Sequence, residues 1–520
     1  MSATTRSALS KALIYLGVGV TATLALSALN ALRAPSRQRP HAPLSAEAEA
    51  RARGASARLR GAREATLERL SAALRFEITA RDEAPPTVEQ TEALWRWLAG
   101  AFPRARAGLS WRAVGQSLLL TWEARDPVGP PALLLAHVDT VPAEGSWTHP
   151  PHSGARAEGY IWGRGALDDR ASAVAILEAI ELLLEGGYRP TRTLYVAFGH
   201  DEEIGGEGAK GIAALLGAEL AEAPEGRRRL AWVLDEGGAI TEGLVPGLSA
   251  PVALVGVAEK GYLTLELRAR AEGGHSSMPP AHTAAGRLSA ALARLEDTPA
   301  PVDLSASVAI TAPWLAPELP ALQRWALSNL WLTAPIVTRI YEARPSSAAL
   351  LRTTAAVTQL SASPKENVLP LEAVGVVNLR LLPGDSVAAA VARVVGVVGE
   401  LGVEVRARAG ASEPTARSAV EGDVDEGGCE GWRRLHAALA YATPGVLIAP
   451  YLTLGATDSR HYAHLSQGTY RLSALRLGPA DLARVHGVDE RVGEEDYLKL
   501  IELYVALVAP DLAPELASAP

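Results

Sequence analysis

The sequence predicts an α/β protein: a mixed-sheet domain interrupted by a smaller inserted α+β sandwich of ferredoxin-like form. Three observations carry this. From residue 118 to 267 short apolar runs alternate with helical periodicity; at Gly261 the style changes to longer alternating strands around two helices; from about Glu413 the first style returns.

The runs 118–122, 132–136, 193–197, 230–234 and 254–257 are apolar at nearly every position and of strand length. Continuous apolar runs of that length suit strands buried on both faces, and the helical patterns 171–184 and 209–216 between them supply the covering layers. In the inserted part, strands at 263–269, 374–381 and 403–408 bracket helices at 281–295 and 386–401. The first domain is therefore expected in two pieces, 62–258 and 413–520, around an insert at 259–412. Within the insert, 301–349 is rich in Trp and Leu and broken by prolines; a helical hairpin and an apolar binding wall both fit it. A last helix is expected at 494–508, before a Pro/Ala-rich tail.

At the start of the chain, Arg6 and Lys11 precede a stretch without charge that runs to Leu32. Basic residues ahead of an apolar run mark an export signal or a membrane anchor over 1–33, and either one places the remainder outside the cytoplasm. Residues 34–61, rich in Pro, Arg, Ala and Ser, read as a tether.

A chain of 520 residues is long enough for two cores, and 48% hydrophobic with 21% charged residues excludes disorder. A net charge of -8 argues against nucleic-acid binding, which needs a basic face. The single cysteine, Cys429, can form neither an internal disulfide nor a thiolate metal site, so any metal must sit on His, Asp and Glu.

Such residues recur at the ends of the expected strands. His137 and Asp139 follow the run 132–136, and their spacing lets one bind a metal while the other orients it. The glycine-rich turn Gly163-Arg164-Gly165 leads to Asp168-Asp169 just before a helix. His200-Asp201-Glu202-Glu203 follows the run 193–197, Asp235-Glu236-Gly237 follows 230–234, and His486 stands in a loop before the last helix. One acidic strand end is ordinary; this series supplies imidazoles and carboxylates for two metal ions.

In this combination the sequence resembles the aminoacylase, carboxypeptidase G and carboxypeptidase S family of zinc metallopeptidases. It is most similar in wording to the carboxypeptidase S and N-fatty-acyl amino acid hydrolase/synthase branch, through Gly199-His200-Asp201-Glu202-Glu203, Val233-Leu234-Asp235-Glu236-Gly237 and Gly274-His275-Ser276-Ser277-Met278-Pro279-Pro280. The resemblance implies two zinc ions, with manganese or cobalt as alternatives. His137 and Glu236 would hold one, Glu203 and His486 the other, and Asp168 both, with a cis peptide bond after Asp168. Asp235 could replace Glu236, since adjacent residues on a strand end face opposite ways.

It further implies Glu202 as general base, Asp139 as the residue that orients His137, and His275 as stabiliser of the developing oxyanion across a homodimer formed by the inserted domain. Asn367, Arg380 and Arg460 would hold a substrate carboxylate. The activity so implied is hydrolysis of the amide of an N-acyl, above all N-fatty-acyl, amino acid, or its reverse condensation. A carboxypeptidase for short peptides is the alternative. A membrane-tethered binding protein on an inactive fold is the rival of another class, disfavoured by the intact Glu202 and both histidines.

Overall fold

The structure is a computed structural model that describes residues 3–40, 42–81, 84–423 and 429–509, of which 3–17 by backbone alone. The Pro/Ala tail and the side chains of Arg6 and Lys11 lie outside the described residues.

A ten-stranded sheet forms the main domain. At its centre Leu194–Gly199, Ala132–His137 and Val233–Asp235 run parallel, and Ser110–Val114 and Ser117–Trp122 close one side as an antiparallel pair. The central strands are buried on both faces because alternate residues serve different cores. Leu134, Ala136, Val196 and Phe198 pack under the helices Arg170–Glu185 and Glu494–Val508, whereas Leu133, Leu135 and Ala197 pack against Glu207–Glu222. The expected pattern 494–508 is the helix Glu494–Val508 residue for residue.

The insert begins at Gly261 and folds as strand, helix, strand, strand, helix, strand. Its antiparallel sheet has the spatial order Thr354–Ser361, Glu372–Leu381, Gly261–Arg270, Val403–Ala407, the ferredoxin-like order. The helices Ala284–Glu296 and Val387–Val398 cover one face and complete a separate core around Leu265, Leu288, Val377 and Val394.

One segment differs from expectation, and a second is helical as one of its two readings had it. Residues 34–61 are no simple tether: Ser45 caps a helix, Ala46–Gly61, that buries Ala48, Ala52, Ala55 and Leu59 and packs against the C-terminal helix. Alanine stripes give little hydrophobic contrast, so the burial is invisible to periodicity although close helix contact favours small side chains. The Trp/Leu-rich stretch 301–349 divides in two. Val308–Leu315 joins the main core, with Trp314 edge-on to Trp432 at 4.9 Å, while Ala321–Ser328 and Leu330–Glu342 stand outward beside the N-terminal helix Ala3–Arg33. Among the described residues no helix is long and apolar enough to cross a membrane.

Candidate active site

The parallel register sets the site. His137 lies opposite Gly199, so the loops that follow Ala132–His137, Leu194–Gly199 and Val233–Asp235 emerge side by side at the carboxyl edge of the sheet. They deliver His137 and Asp139, Glu202 and Glu203, and Glu236 to one place.

Asp168 and His486 come from elsewhere. The strand Arg491–Gly493 pairs with Tyr160–Trp162, with Arg491 opposite Trp162, and this draws the 486–490 loop against the turn before Asp168. Gly487 permits the tight turn of that loop, since a Cβ there would run into the carbonyl of Ala483 four residues back. His486 itself takes a left-handed φ of 59°.

At the centre, His137 Nε2 lies 2.9 Å from Asp168 Oδ1 and 3.8 Å from Glu236 Oε1. His486 Nε2 lies 3.0 Å from Asp168 Oδ2 and 3.2 Å from Glu203 Oε2. Two donor groups therefore meet at one carboxylate: His137, Asp168 and Glu236 on one side, Asp168, Glu203 and His486 on the other, each with its ligand-type atoms within 4.8 Å of one another. The peptide bond Asp168-Asp169 is cis.

The choice between Asp235 and Glu236 is made by hydrogen bonding. Asp235 is turned away, accepting from the backbone N–H of Ser459 at 2.7 Å and of Glu236 at 2.9 Å, and only Glu236 reaches the cluster. Asp139 is more heavily engaged than a partner of His137 alone. Its Oδ1 lies 3.4 Å from His137 Nδ1, which bonds its backbone carbonyl at 3.1 Å. Its two carboxylate oxygens also accept the backbone N–H groups of Glu202 and Glu203, each at 3.1 Å. One buried carboxylate thus positions an imidazole and the turn that carries both glutamates.

Electrostatically the cluster calls for positive charge. Hydrogen bonds to Asp168 and Glu203 raise His486 to about 10. His137 is raised well above its ordinary value despite burial, by Asp139 and Asp168. Burial pushes Glu202 well above the carboxylate range, against the pull of His137 and with reinforcement from Asp458, Glu203 and Asp168. Burial, with Asp168 next to it, does the same to Glu236. Carboxylates converging at such close quarters are relieved by cations, and the donor set of two imidazole nitrogens and three carboxylates, one shared, fits two metal ions.

The other expected residues divide by position. Arg380 stacks 4.8 Å over the Tyr262 ring; its guanidinium is pushed down by burial, and it lies in electrostatic reach of both Arg460 and Glu202. Arg460 donates to the carbonyl of Gly205 at 2.9 Å, just beyond the glutamate turn. Two cations from different domains therefore stand next to the cluster. His275 and Asn367 sit together on the inserted domain, where His275 pairs with Val368 and the N–H of Ser276 donates to the carbonyl of Asn367 at 3.2 Å. Both are exposed, and among the described residues no hydrogen bond or ion pair joins them to the cluster.

Sequence reasoning missed the frame behind Asp168. Glu490, fully buried, accepts from the N–H groups of Leu167 at 2.7 Å and Asp168 at 3.2 Å and pairs with Arg164 at 2.7 Å. Arg164 in turn donates to the carbonyl of His486 at 3.2 Å, so one buried ion pair holds the turns that carry Asp168 and His486. Arg170, also buried, donates to the carbonyls of Val138 at 2.8 Å and of Phe76. The signal was present: a lone arginine between two glycines ahead of two aspartates needs an anionic partner, and Glu490 is four residues past His486.

A mixed sheet with a ferredoxin-like insert, and a carboxylate-imidazole cluster at the sheet's carboxyl edge, define a metal-dependent hydrolase of the amidohydrolase and peptidase type. Residues 133–509 match the model of peptidase family M20/M25/M40, and the chain belongs to that family. The chain is 40% identical over 385 residues to the N-fatty-acyl-amino acid synthase/hydrolase PM20D1 of Mus musculus, covering 73% of this chain and 74% of that protein. It is 36% identical over 412 residues to the probable carboxypeptidase S-like 2 of Dictyostelium discoideum, covering 78% and 77%. In fold it is similar to the M20 family metallo-carboxypeptidase Sso-CP2 of Sulfolobus solfataricus, with a TM-score of 0.62 at 16% identity over 86% of this chain and 98% of that one.

Proposed function

We propose that this protein hydrolyses the amide bond of N-fatty-acyl amino acids, and condenses fatty acid with amino acid at the same site when concentrations favour it. The observation that carries the amide chemistry is the pair of donor groups meeting at Asp168 with Glu202 alongside. The acyl substrate rests on the 40% identity to an enzyme named for that reaction.

In this reading His137 and Glu236 hold one metal ion, Glu203 and His486 the other, and Asp168 both. The ions would be zinc, and metal analysis of the untreated protein distinguishes zinc from the alternatives manganese and cobalt. When bound, such ions lower the pKa of a water and polarise the scissile carbonyl. Glu202 takes the proton of the attacking water and passes it to the departing amine nitrogen, a role suited by burial that raises its affinity for a proton. Asp139 keeps His137 in its binding tautomer and orientation. Arg380 and Arg460 hold the substrate carboxylate, aided by Asn367, since two neighbouring guanidiniums favour an anion between them.

His275 donates to the carbonyl oxygen as it gains charge, supplied by a second copy of the chain. The exposed edge strand Thr354–Ser361 of the inserted domain offers the surface for that homodimer. The first 33 residues act as an export signal or anchor, which places the enzyme outside the cytoplasm.

The similarity to a carboxypeptidase S-like protein favours a second reading, removal of C-terminal residues from short peptides. Release of amino acid from N-oleoyl-phenylalanine and from dipeptides, measured side by side with metal-loaded protein, separates the two. Faster turnover of the acyl substrate is expected. Preference for dipeptides overturns the acyl assignment, and activity in Glu202→Gln equal to the parent overturns the mechanism.

A further inference from the structure

The N-terminal helix packs inside out on the outer helices of the insert, which keep a small apolar core of their own around Val337 and Leu351. Along residues 18–33 of this helix the side chains turned inward are Thr23, Ser27 and Ala31, one small side chain every fourth position. Ser27 is fully buried, and so is its partner Asn329, which donates to the Ser27 carbonyl at 2.9 Å and accepts from Asn30 at 3.2 Å. Trp325 donates to the Ser27 hydroxyl at 2.9 Å. The seam between the helices is thus polar and small.

The outward surface is apolar. Val18, Leu24, Leu26 and Leu32 project from the N-terminal helix, Leu32 at 78% exposure, and Trp331, Ile336 and Ile340 project from Leu330–Glu342, each 59% exposed or more. In water the arrangement should be reversed, with leucine and isoleucine inside and serine and asparagine outside. Small residues and hydrogen bonds between helices, with aliphatic side chains facing out, are how helices associate in lipid.

Charge points to the same occupant. No charged residue lies between Lys11 and Arg33, and the first acidic residue of the chain is Glu47. Beyond the apolar stretch Arg33 and Arg39 are exposed, and so is Arg339 on the neighbouring helix. A cavity of about 320 Å³ opens where the N-terminal helix ends, lined by Asn30, Arg33 and Arg37 on one side and by Pro317 and Leu327 on the other. An uncharged apolar face rimmed by arginines complements hydrocarbon below and anionic headgroups at the rim.

We propose that this face is a membrane-docking surface in which the outer helices of the insert enter the bilayer together with the N-terminal helix. The occupant is phospholipid. The proposal goes beyond an N-terminal anchor, because it assigns Trp331, Ile336 and Ile340, three hundred residues further along, to the same lipid contact. It requires no turnover, so its failure is distinct from failure of the proposed reaction.

The test uses the full, metal-loaded chain. Its one native cysteine is buried, so an environment-sensitive fluorophore can be placed at Ile336→Cys, at Ile340→Cys or, as a control, at Val128→Cys, an exposed apolar position on the main domain. With vesicles of phosphatidylcholine and phosphatidylglycerol, emission at 336 and 340 should shift to the blue and be quenched by lipids carrying a quencher in the acyl chain, while that at 128 stays unchanged. Labels at 336 and 340 that remain in water on vesicle-bound protein overturn the proposal. A shift without vesicles, accompanied by a doubled mass in light scattering, overturns it in favour of a second copy. Independently of labelling, Ile336→Glu with Ile340→Glu, both at exposed sites, should lower vesicle co-flotation by about tenfold or more with unchanged circular dichroism; undiminished flotation likewise overturns it.

Discussion

The cluster at the sheet edge and the His275 region of the inserted domain carry residues of equal interest in very different settings. Asp139, Asp235 and Glu490 are buried, and each is bound by two or more hydrogen bonds to backbone or side chain. His275 and Asn367 are exposed, and His275 makes its side-chain hydrogen bonds to its neighbour Ser277. The first setting is over-determined and exists before any ligand arrives; the second stands open to the partner copy proposed to complete it. Damage to the first should therefore reach folding and metal content, and damage to the second only turnover.

The sharpest break in that rule is Glu202, which lies in the first setting but is proposed to carry chemistry rather than structure. Glu202→Gln should lower kcat by about 10³–10⁴-fold while metal content, read by elemental analysis, stays at the parent level. Next comes Glu490→Ala, which strips Arg164 of its buried partner and leaves the N–H groups of Leu167 and Asp168 unpaired. A loss of about 3–5 kcal/mol is expected in denaturant titrations, together with weaker metal retention under dialysis; unchanged stability would separate this frame from the cluster behind which it lies.

His275→Ala sharpens the comparison from the other side. Turnover should fall about 10²-fold with stability within about 0.5 kcal/mol and metal content unchanged, measured by kinetics and thermal unfolding. A mixture with the Glu202→Gln chain should regain activity if the histidine serves a second copy, because a mixed dimer then holds one complete site.

The smallest effect is graded with pH. His486 at about 10 in the metal-free chain is raised above its ordinary value, so its contribution to metal-free stability is full below about 6.5 and lost as pH rises through about 10. In its proposed role as a ligand the imidazole must be neutral, so a bound metal would displace that proton. Affinity should rise by about tenfold per pH unit for each proton released, with release visible by calorimetry in buffers of different ionisation heat.

Much of the cluster was legible because each member sits in a short motif at the end of an apolar run. His137, Asp168, Glu203 and Glu236 need only their local strand or turn to be recognised as candidates. What stayed hidden has a common cause. Asp235 and Glu236 are equivalent until Ser459, 224 residues away, offers one of them an N–H. The Glu490 frame spans 322 residues to Asp168. The alanine stripe of Ala46–Gly61 means nothing without the C-terminal helix against which it packs.

By itself the sequence determined the alternation of strands and helices, the inserted ferredoxin-like domain and the kinds of residue at each strand end, because periodicity and turn chemistry act over a few residues. Tertiary structure alone decided which carboxylate turns inward, which ion pair clamps the two turns, and which faces of the N-terminal and insert helices look outward. Those outcomes depend on partners hundreds of residues distant, and no local pattern encodes which partner arrives.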